Sequence, residues 1–162
     1  MFVQTVYESQ ITGSFGPLAL LALQKTAVIR NRERGITSFL YHDKGRLFHV
    51  VEGKPDTLED TMARIGNSSL HKDIKVRAML RCEKRSFPRW YFGATNVDDP
   101  HFKRVYGALK KAEFFNLDVV EAVQILQMVA SRKRRAVKMD QFSIKVRNFN
   151  RNKEPRGLLA VR

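Results

Sequence analysis

The sequence predicts an α+β fold: a ferredoxin-like sheet in βαββαββ order with two helices on one face, then two C-terminal helices and a basic tail. Three observations carry this. Ile74, Val76, Ala78, Leu80 and Cys82 alternate with polar residues, the two-residue period of a strand. Leu20, Leu21, Leu23, Ala27 and Val28 fall near helical spacing. Two apolar runs flank Asp43-Lys44-Gly45, which reads as a hairpin turn.

Taken in order, Phe2 to Ser9 reads as the first strand. Gly13-Ser14-Phe15-Gly16-Pro17 has loop chemistry, and Leu18 to Asn31 follows as a helix. Ile36 to His42 and Leu47 to Glu52 are the two strands of the hairpin. Gly53-Lys54-Pro55-Asp56 stops the second of these, and a helix opens from about Thr57 to Gly66. Ile74 to Cys82 is the fourth strand, and Trp90 to Ala94 the fifth. Phe39, Tyr41, Phe48 and Val50 are opposite in parity to Leu40, Leu47 and His49, so both faces of the sheet need cover. Helices over about 100–115 and 117–134 would cover the second face. Asp118 stands in the first turn of the latter and Arg132-Lys133-Arg134-Arg135 at its end, as the helix dipole prefers. Beyond Arg135, Phe142, Ile144, Val146 and Phe149 suggest a short strand or docking segment. Asn150 to Arg156 reads as polar and mobile. The organisation is then a first domain over 1–95, a helical extension over 96–135 and a basic tail over 136–162.

Composition excludes several classes. At 162 residues and 43% hydrophobic the chain can bury a core. It has no apolar run long enough to span a membrane and no secretory pattern at its start, and its single cysteine, Cys82, suits a reducing compartment; a cytoplasmic location is expected. The histidines and Cys82 show no metal-ligand spacing. There is no Gly-x-Ser-x-Gly elbow or phosphate-cradling Gly-x-x-x-x-Gly-Lys loop, so neither a metal site nor catalysis is expected.

The net charge is +14, and residues 132–162 hold 11 basic and 2 acidic residues. Such a balance favours anionic partners: nucleic acid, a membrane surface or an acidic protein. The candidate contacts are Arg132, Lys133, Arg134, Arg135, Lys138, Lys145 and Arg147. A solvated helix end is the plainer use of the same charges.

Four separated pieces carry a family resemblance. A first strand ends in Tyr7-Glu8-Ser9, and the first helix ends in Asn31 before Gly35-Ile36-Thr37-Ser38. The hairpin returns as Leu47-Phe48-His49-Val50-Val51-Glu52-Gly53, and the last piece is Phe87-Pro88-Arg89-Trp90-Tyr91-Phe92. In order and spacing this resembles the BLUF family, sensors of blue light using flavin, over roughly residues 1–95. The resemblance implies bound FAD, with its ring between the two helices, and signalling through protein contacts rather than catalysis. It implies Tyr7 as electron donor, Asn31 as flavin anchor, Ser9 and His71 as pocket neighbours and Trp90 as a switchable tryptophan. It also implies self-association of short members through the sheet face or the C-terminal helices.

The departures are as informative. His49 stands where the family has glutamine, Phe92 where it has methionine, and Ser38 where it has the last glycine of its Gly-Ile-Thr-Gly piece. Ser68-Ser69-Leu70-His71 keeps only the histidine of an Asp-x-Arg-His piece. An imidazole carries one donor and one acceptor fixed in a ring, and cannot turn over as an amide does. The expectation is therefore a flavin-binding sensor, or one keeping a remnant of the pocket, with an altered or lost photocycle. The alternative is a cofactor-free module acting through its basic C-terminal part. Taken singly, Tyr7 and Trp90 read first as core aromatics, Asn31 as a helix end and His71 as a surface or cap residue; only the joint arrangement lifts them above that.

Overall fold

The computed structural model describes residues 1–13, 16–109 and 113–151, with side chains as far as Gln141 and excepting Pro17. The elements are β1 (Phe2–Ile11), α1 (Pro17–Arg34), β2 (Thr37–Asp43), β3 (Arg46–Gly53), α2 (Pro55–Gly66), β4 (His71–Cys82), β5 (Gly93–Asn96), α3 (Pro100–Leu109), a 3-10 turn (Phe114–Asn116) and α4 (Val119–Arg151). The strands form one sheet in the order β4-β1-β3-β2-β5, antiparallel throughout except for β2 beside β5. Met1–Ala130 make one compact unit, and a second begins at Ser131. The expected α+β architecture is the one observed.

Local chemistry sets the boundaries. Lys44 and Gly45 both take positive φ, 45° and 80°. That is the two-residue hairpin turn whose twist matches the strands it joins. Helix α1 ends at Gly35, φ 62°, where the Gly35 N–H donates to the Arg32 carbonyl and the Ile36 N–H to that of Asn31. Asp118 lies just before α4 and accepts a 2.8 Å bond from the Val120 N–H, so it caps the helix rather than sitting inside its first turn.

Both sheet faces are covered. Val6, Phe39, Tyr41, Phe48 and Val50 meet Phe102 of α3, Phe114 of the 3-10 turn and Ile125, Leu126 and Val129 of α4 in one continuous core. On the other face the buried residues fall into two smaller clusters. Tyr7, Ile36, Val51 and Leu58 pack beside Met62 and Ile65 of α2. Leu40, Leu47 and Phe92 pack beside Leu20, Leu23, Ala27 and Val28 of α1. The helix-covered face is thus divided, one cluster under each helix.

Three expectations are corrected. The fifth strand begins at Gly93, not Trp90. The buried Glu52 carboxylate accepts the N–H groups of Ser86 (2.6 Å) and Phe87 (3.0 Å), the Gln4 amide (2.8 Å) and the Thr37 hydroxyl (3.1 Å). The Trp90 N–H then closes a turn onto the Phe87 carbonyl at 3.0 Å. These bonds occupy backbone groups that a strand through Trp90 would need elsewhere.

The helix expected over 100–115 ends at Leu109. After residues 110–112, which lie outside the described residues, Phe114 and Phe115 sit in the 3-10 turn, their rings tilted against Tyr41. The expected strand or docking segment at Phe142, Ile144, Val146 and Phe149 is helical instead, because α4 continues to Arg151. Ala136, Lys138, Met139 and Gln141 are good helix formers and carry the helix across the expected boundary. Residues 152–162, most of the expected mobile stretch, lie outside the described residues, as do the side chains of Lys145 and Arg147.

Candidate functional site

The division of that face leaves a cavity of about 220 Å³ between α1 and α2, floored by the sheet. Its floor is built by strand alternation. Tyr7 of β1 lies directly opposite His49 of β3, and Leu40 of β2 opposite His49 on the other side. All three therefore point toward the two helices. Helix α1 contributes Leu23, Ala27, Arg30, Asn31 and Arg34, one strip at helical spacing, and α2 contributes Thr61, Arg64 and Ile65. Phe92 closes one end and His71 lies beside Tyr7. Arg34 bridges to Asp60 at 3.3 Å, linking α1 to α2.

The centre of the floor is a buried polar pair. The Tyr7 hydroxyl and His49 Nδ1 are 2.8 Å apart, and both side chains are buried. Burial pushes the phenol pKa well above its ordinary value. Burial, with a smaller contribution from His71, pulls that of the imidazole down to about 3. Both groups are neutral at physiological pH.

A neutral phenol buried in this way needs an acceptor for its proton, and Nδ1 is the one within reach. With the phenol donating to Nδ1, the ring proton belongs on Nε2. That atom is buried and has no hydrogen-bond partner. It is an unmet donor in a cavity whose apolar lining includes Leu23, Ala27, Leu40, Leu47, Val51, Ile65 and Phe92.

The remaining expected residues divide. His71 lines the cavity, its ring stacked on Tyr7 with centroids 6.1 Å apart, and pairs through Nδ1 with the Ser9 hydroxyl at 3.0 Å. Ser9 is buried behind it and does not line the cavity. Asn31 lines the cavity, but its amide nitrogen donates to the Tyr91 carbonyl and, at 3.4 Å, to the Ser38 hydroxyl. Trp90 is not brought to the pair. It packs with the core on the opposite face, edge-on to Phe39 at 5.4 Å. Phe92 stands at the cavity instead, edge-on to His49 with centroids 5.7 Å apart.

In the second unit, Arg132, Lys133 and Arg134 are half-buried, and Arg135 and Lys138 are exposed. Sequence reasoning missed Arg30, Arg34 and Arg64. Arg30 and Arg34 share a helix face with Asn31, but nothing in the sequence brings Arg64 of α2 beside them.

Comparison with known proteins bears directly on this geometry. The sequence profile of BLUF, sensors of blue-light using FAD, matches residues 2–93. The chain belongs to the BLUF family. It is 30% identical over 82 residues to photoactivated adenylate cyclase subunit beta of Euglena gracilis, covering 51% of this chain and 10% of that one. It is 26% identical over 80 residues to the alpha subunit from the same organism, covering 49% of this chain and 8% of that one. The BLUF chain thus spans about a tenth of the length of the curated relatives it matches.

Among solved structures, the dark state of the BLUF protein BlrB superposes with a TM-score of 0.69 at 19% identity, over 81% of this chain and 96% of that one. The photo-activated state of BlsA superposes at 0.68 and 20% identity, over 80% and 95%. Klebsiella pneumoniae BlrP1 with FMN and cyclic diGMP is 26% identical at a TM-score of 0.55, over 59% and 26%. BLUF domains are photosensory modules that act through partner domains or proteins. Among the described residues there is no group of side chains suited to a metal ion and no helix long and apolar enough to cross a membrane.

Proposed function

We propose that this BLUF chain is a non-catalytic sensor module that holds a flavin, as FAD, in the cavity between α1 and α2 and signals through protein contacts. The observation that carries the reading is the buried, unpartnered Nε2 of His49 in a sheet-floored crevice. Small-ligand sites have this composition: mostly apolar walls with a few placed polar groups. The cavity is smaller than the about 300–1,000 Å³ of sites that enclose a whole drug-sized ligand. It therefore suits a ring system, with the rest of a dinucleotide lying along the mouth.

A flavin ring brings blue-light absorption and an edge of carbonyl and ring-nitrogen acceptors. Against it, His49 Nε2–H donates, Tyr7 keeps His49 in that tautomer, and His71 stacks behind Tyr7. Asn31 would donate to the ring edge only by giving up a bond to Ser38 or Tyr91, whereas its Oδ1 is left to accept. Apolar Leu23, Ala27 and Phe92 exclude water from the ring.

The imidazole also limits the light response. An amide at position 49 can present either its donor or its acceptor to a fixed neighbour by turning over. The His49 ring, held by Tyr7 at one nitrogen, presents only its donor. A weak or absent light-induced shift of the flavin absorption band is the consequence, and His49→Gln is expected to enlarge it. The test is the visible spectrum of the purified, flavin-supplied protein before and after blue light, beside Ala27→Trp, which fills the crevice. Flavin colour that is lost in Ala27→Trp while far-ultraviolet circular dichroism is kept supports the reading. A wild-type protein that takes up no flavin refutes it.

A second reading rests on exposed Arg135 and Lys138, with Arg132, Lys133 and Arg134 beside them on α4. This stretch suits an acidic protein surface or nucleic acid as the signalling partner. Binding of DNA, RNA or an acidic protein that shows no salt dependence, or that survives truncation after Ala130, counts against it.

A further inference from the structure

Strand β4 ends the sheet, with β1 on one side and, among the described residues, no strand on the other. It is 12 residues long, against four for β5 at the opposite edge. An open edge exposes a row of unpaired N–H and C=O groups, and proteins blunt such edges with bulges, twisted backbone and lysines. The first half of β4 is blunted in this way. Its register against β1 shifts between Glu8 and Gln10 and again between Val6 and Tyr7. Asp73 takes a φ of 54°, and Lys72 and Lys75 are exposed. The second half is regular, residues 78–82 pairing with residues 6–2 without a break. Ala78 packs against the core under α3 and α4, so Leu80 shares that face and Met79 between them takes the other. Both are large, apolar and open to solvent, Met79 by 65% and Leu80 by 46%, and Val76 is half exposed beside them.

Charge narrows what this edge accepts. Strand β4 carries Lys72, Lys75, Arg77 and Arg81 against one carboxylate, Asp73. Arg77 is bound to Glu8, whereas Lys72, Lys75 and Arg81 are exposed and make no ion pair among the described residues. The β4 of a second copy, laid against this one, would set like charges together, which destabilises paired strands. We propose that β4 is a docking edge for an extended acidic segment of a partner protein, which adds to the sheet beside residues 75–82. Main-chain hydrogen bonds to the open edge hold the segment, and its carboxylates pair with Lys75 and Arg81. Its apolar side chains meet Val76 and Met79 on one face and Leu80 on the other. None of these five residues lines the cavity between α1 and α2, so docking here is independent of a flavin.

The test uses the full chain and two fluorescein-labelled peptides of about eight residues, one alternating valine with glutamate and one valine with lysine. Fluorescence anisotropy should show the acidic peptide binding about tenfold or more tightly than the basic one at low salt. Lys75→Glu combined with Arg81→Glu, both at exposed positions, should reverse that preference. Amide hydrogen exchange followed by NMR locates the peptide. Alternate β4 amides, those turned away from β1, should exchange about tenfold or more slowly once it is bound. Binding of neither peptide, or binding that leaves β4 exchange unchanged, overturns the proposal. So does binding that survives the Lys75 and Arg81 reversals but is lost in Arg135→Glu combined with Lys138→Glu, which would put the peptide on α4. Protection of β4 that appears without peptide and rises with protein concentration, alongside a dimer in sedimentation velocity, would give the edge to a second copy and equally overturn it.

Discussion

Tyr7 and His49 are joined across adjacent strands by one 2.8 Å hydrogen bond, and the burial that makes the bond necessary also makes the imidazole a source of acid sensitivity. The folded protein holds His49 neutral down to about pH 3, whereas the unfolded chain takes up a proton near pH 6.5. Below pH 6.5 the unfolded state therefore binds more protons, and stability falls as pH is lowered. His42 and His71, also lowered by burial, act in the same direction.

Urea denaturation at pH 7 and pH 5 should show a loss in the wild type that exceeds the loss in His49→Gln by about 2 kcal/mol. Equal losses would mean that His49 is not buried as described. Glu52 gives a second residue-scale prediction. Its carboxylate takes four hydrogen bonds, two of them from the backbone of the turn bearing Phe87 and Trp90. Glu52→Gln turns a donor toward those donors, and a loss of about 3 kcal/mol in the same denaturation measurement is expected.

Tyr7 and His49 were legible as single positions from their spacing within the four matching pieces, and His71 as the one residue kept of the Asp-x-Arg-His piece. The pair itself was not, because opposition of residues 7 and 49 depends on strand register. The three arginines were hidden for a different reason. Read along the chain they are ordinary charges on a basic protein, and only the facing of α1 and α2 brings them together.

At the scale of elements, the hairpin, both central helices and the need to cover the second sheet face were readable from periodicity and turn chemistry. The errors fell where tertiary bonds or propensity override a local pattern: Glu52 holding the turn before β5, and good helix formers extending α4. Gly93, the first residue of β5, marks how closely that strand is fitted. A Cβ there would stand 2.4 Å from the Phe39 ring and 2.9 Å from Trp90. Both rings belong to the core under α3 and α4, where rigid aromatics give little. Gly93→Ala is expected to cost about 1–3 kcal/mol, measured as a shift of the urea midpoint without change of slope. A neutral substitution would show that β5 and Trp90 move together more freely than this packing allows.

For the molecule as a whole, the account joins a divided core, a crevice between two helices and a buried donor with no partner. A flavin would satisfy that donor and fill the gap between the two clusters. The most direct measurement is nitrogen NMR of the histidine side chains in uniformly labelled protein, recorded without flavin and with saturating FMN. The account predicts that the His49 Nε2 resonance carries a proton and shifts on binding, while Nε2 of the half-buried His101, outside the cavity, does not. A bound flavin that leaves the His49 resonances in place, or a His49 ring protonated at Nδ1 instead, would contradict it.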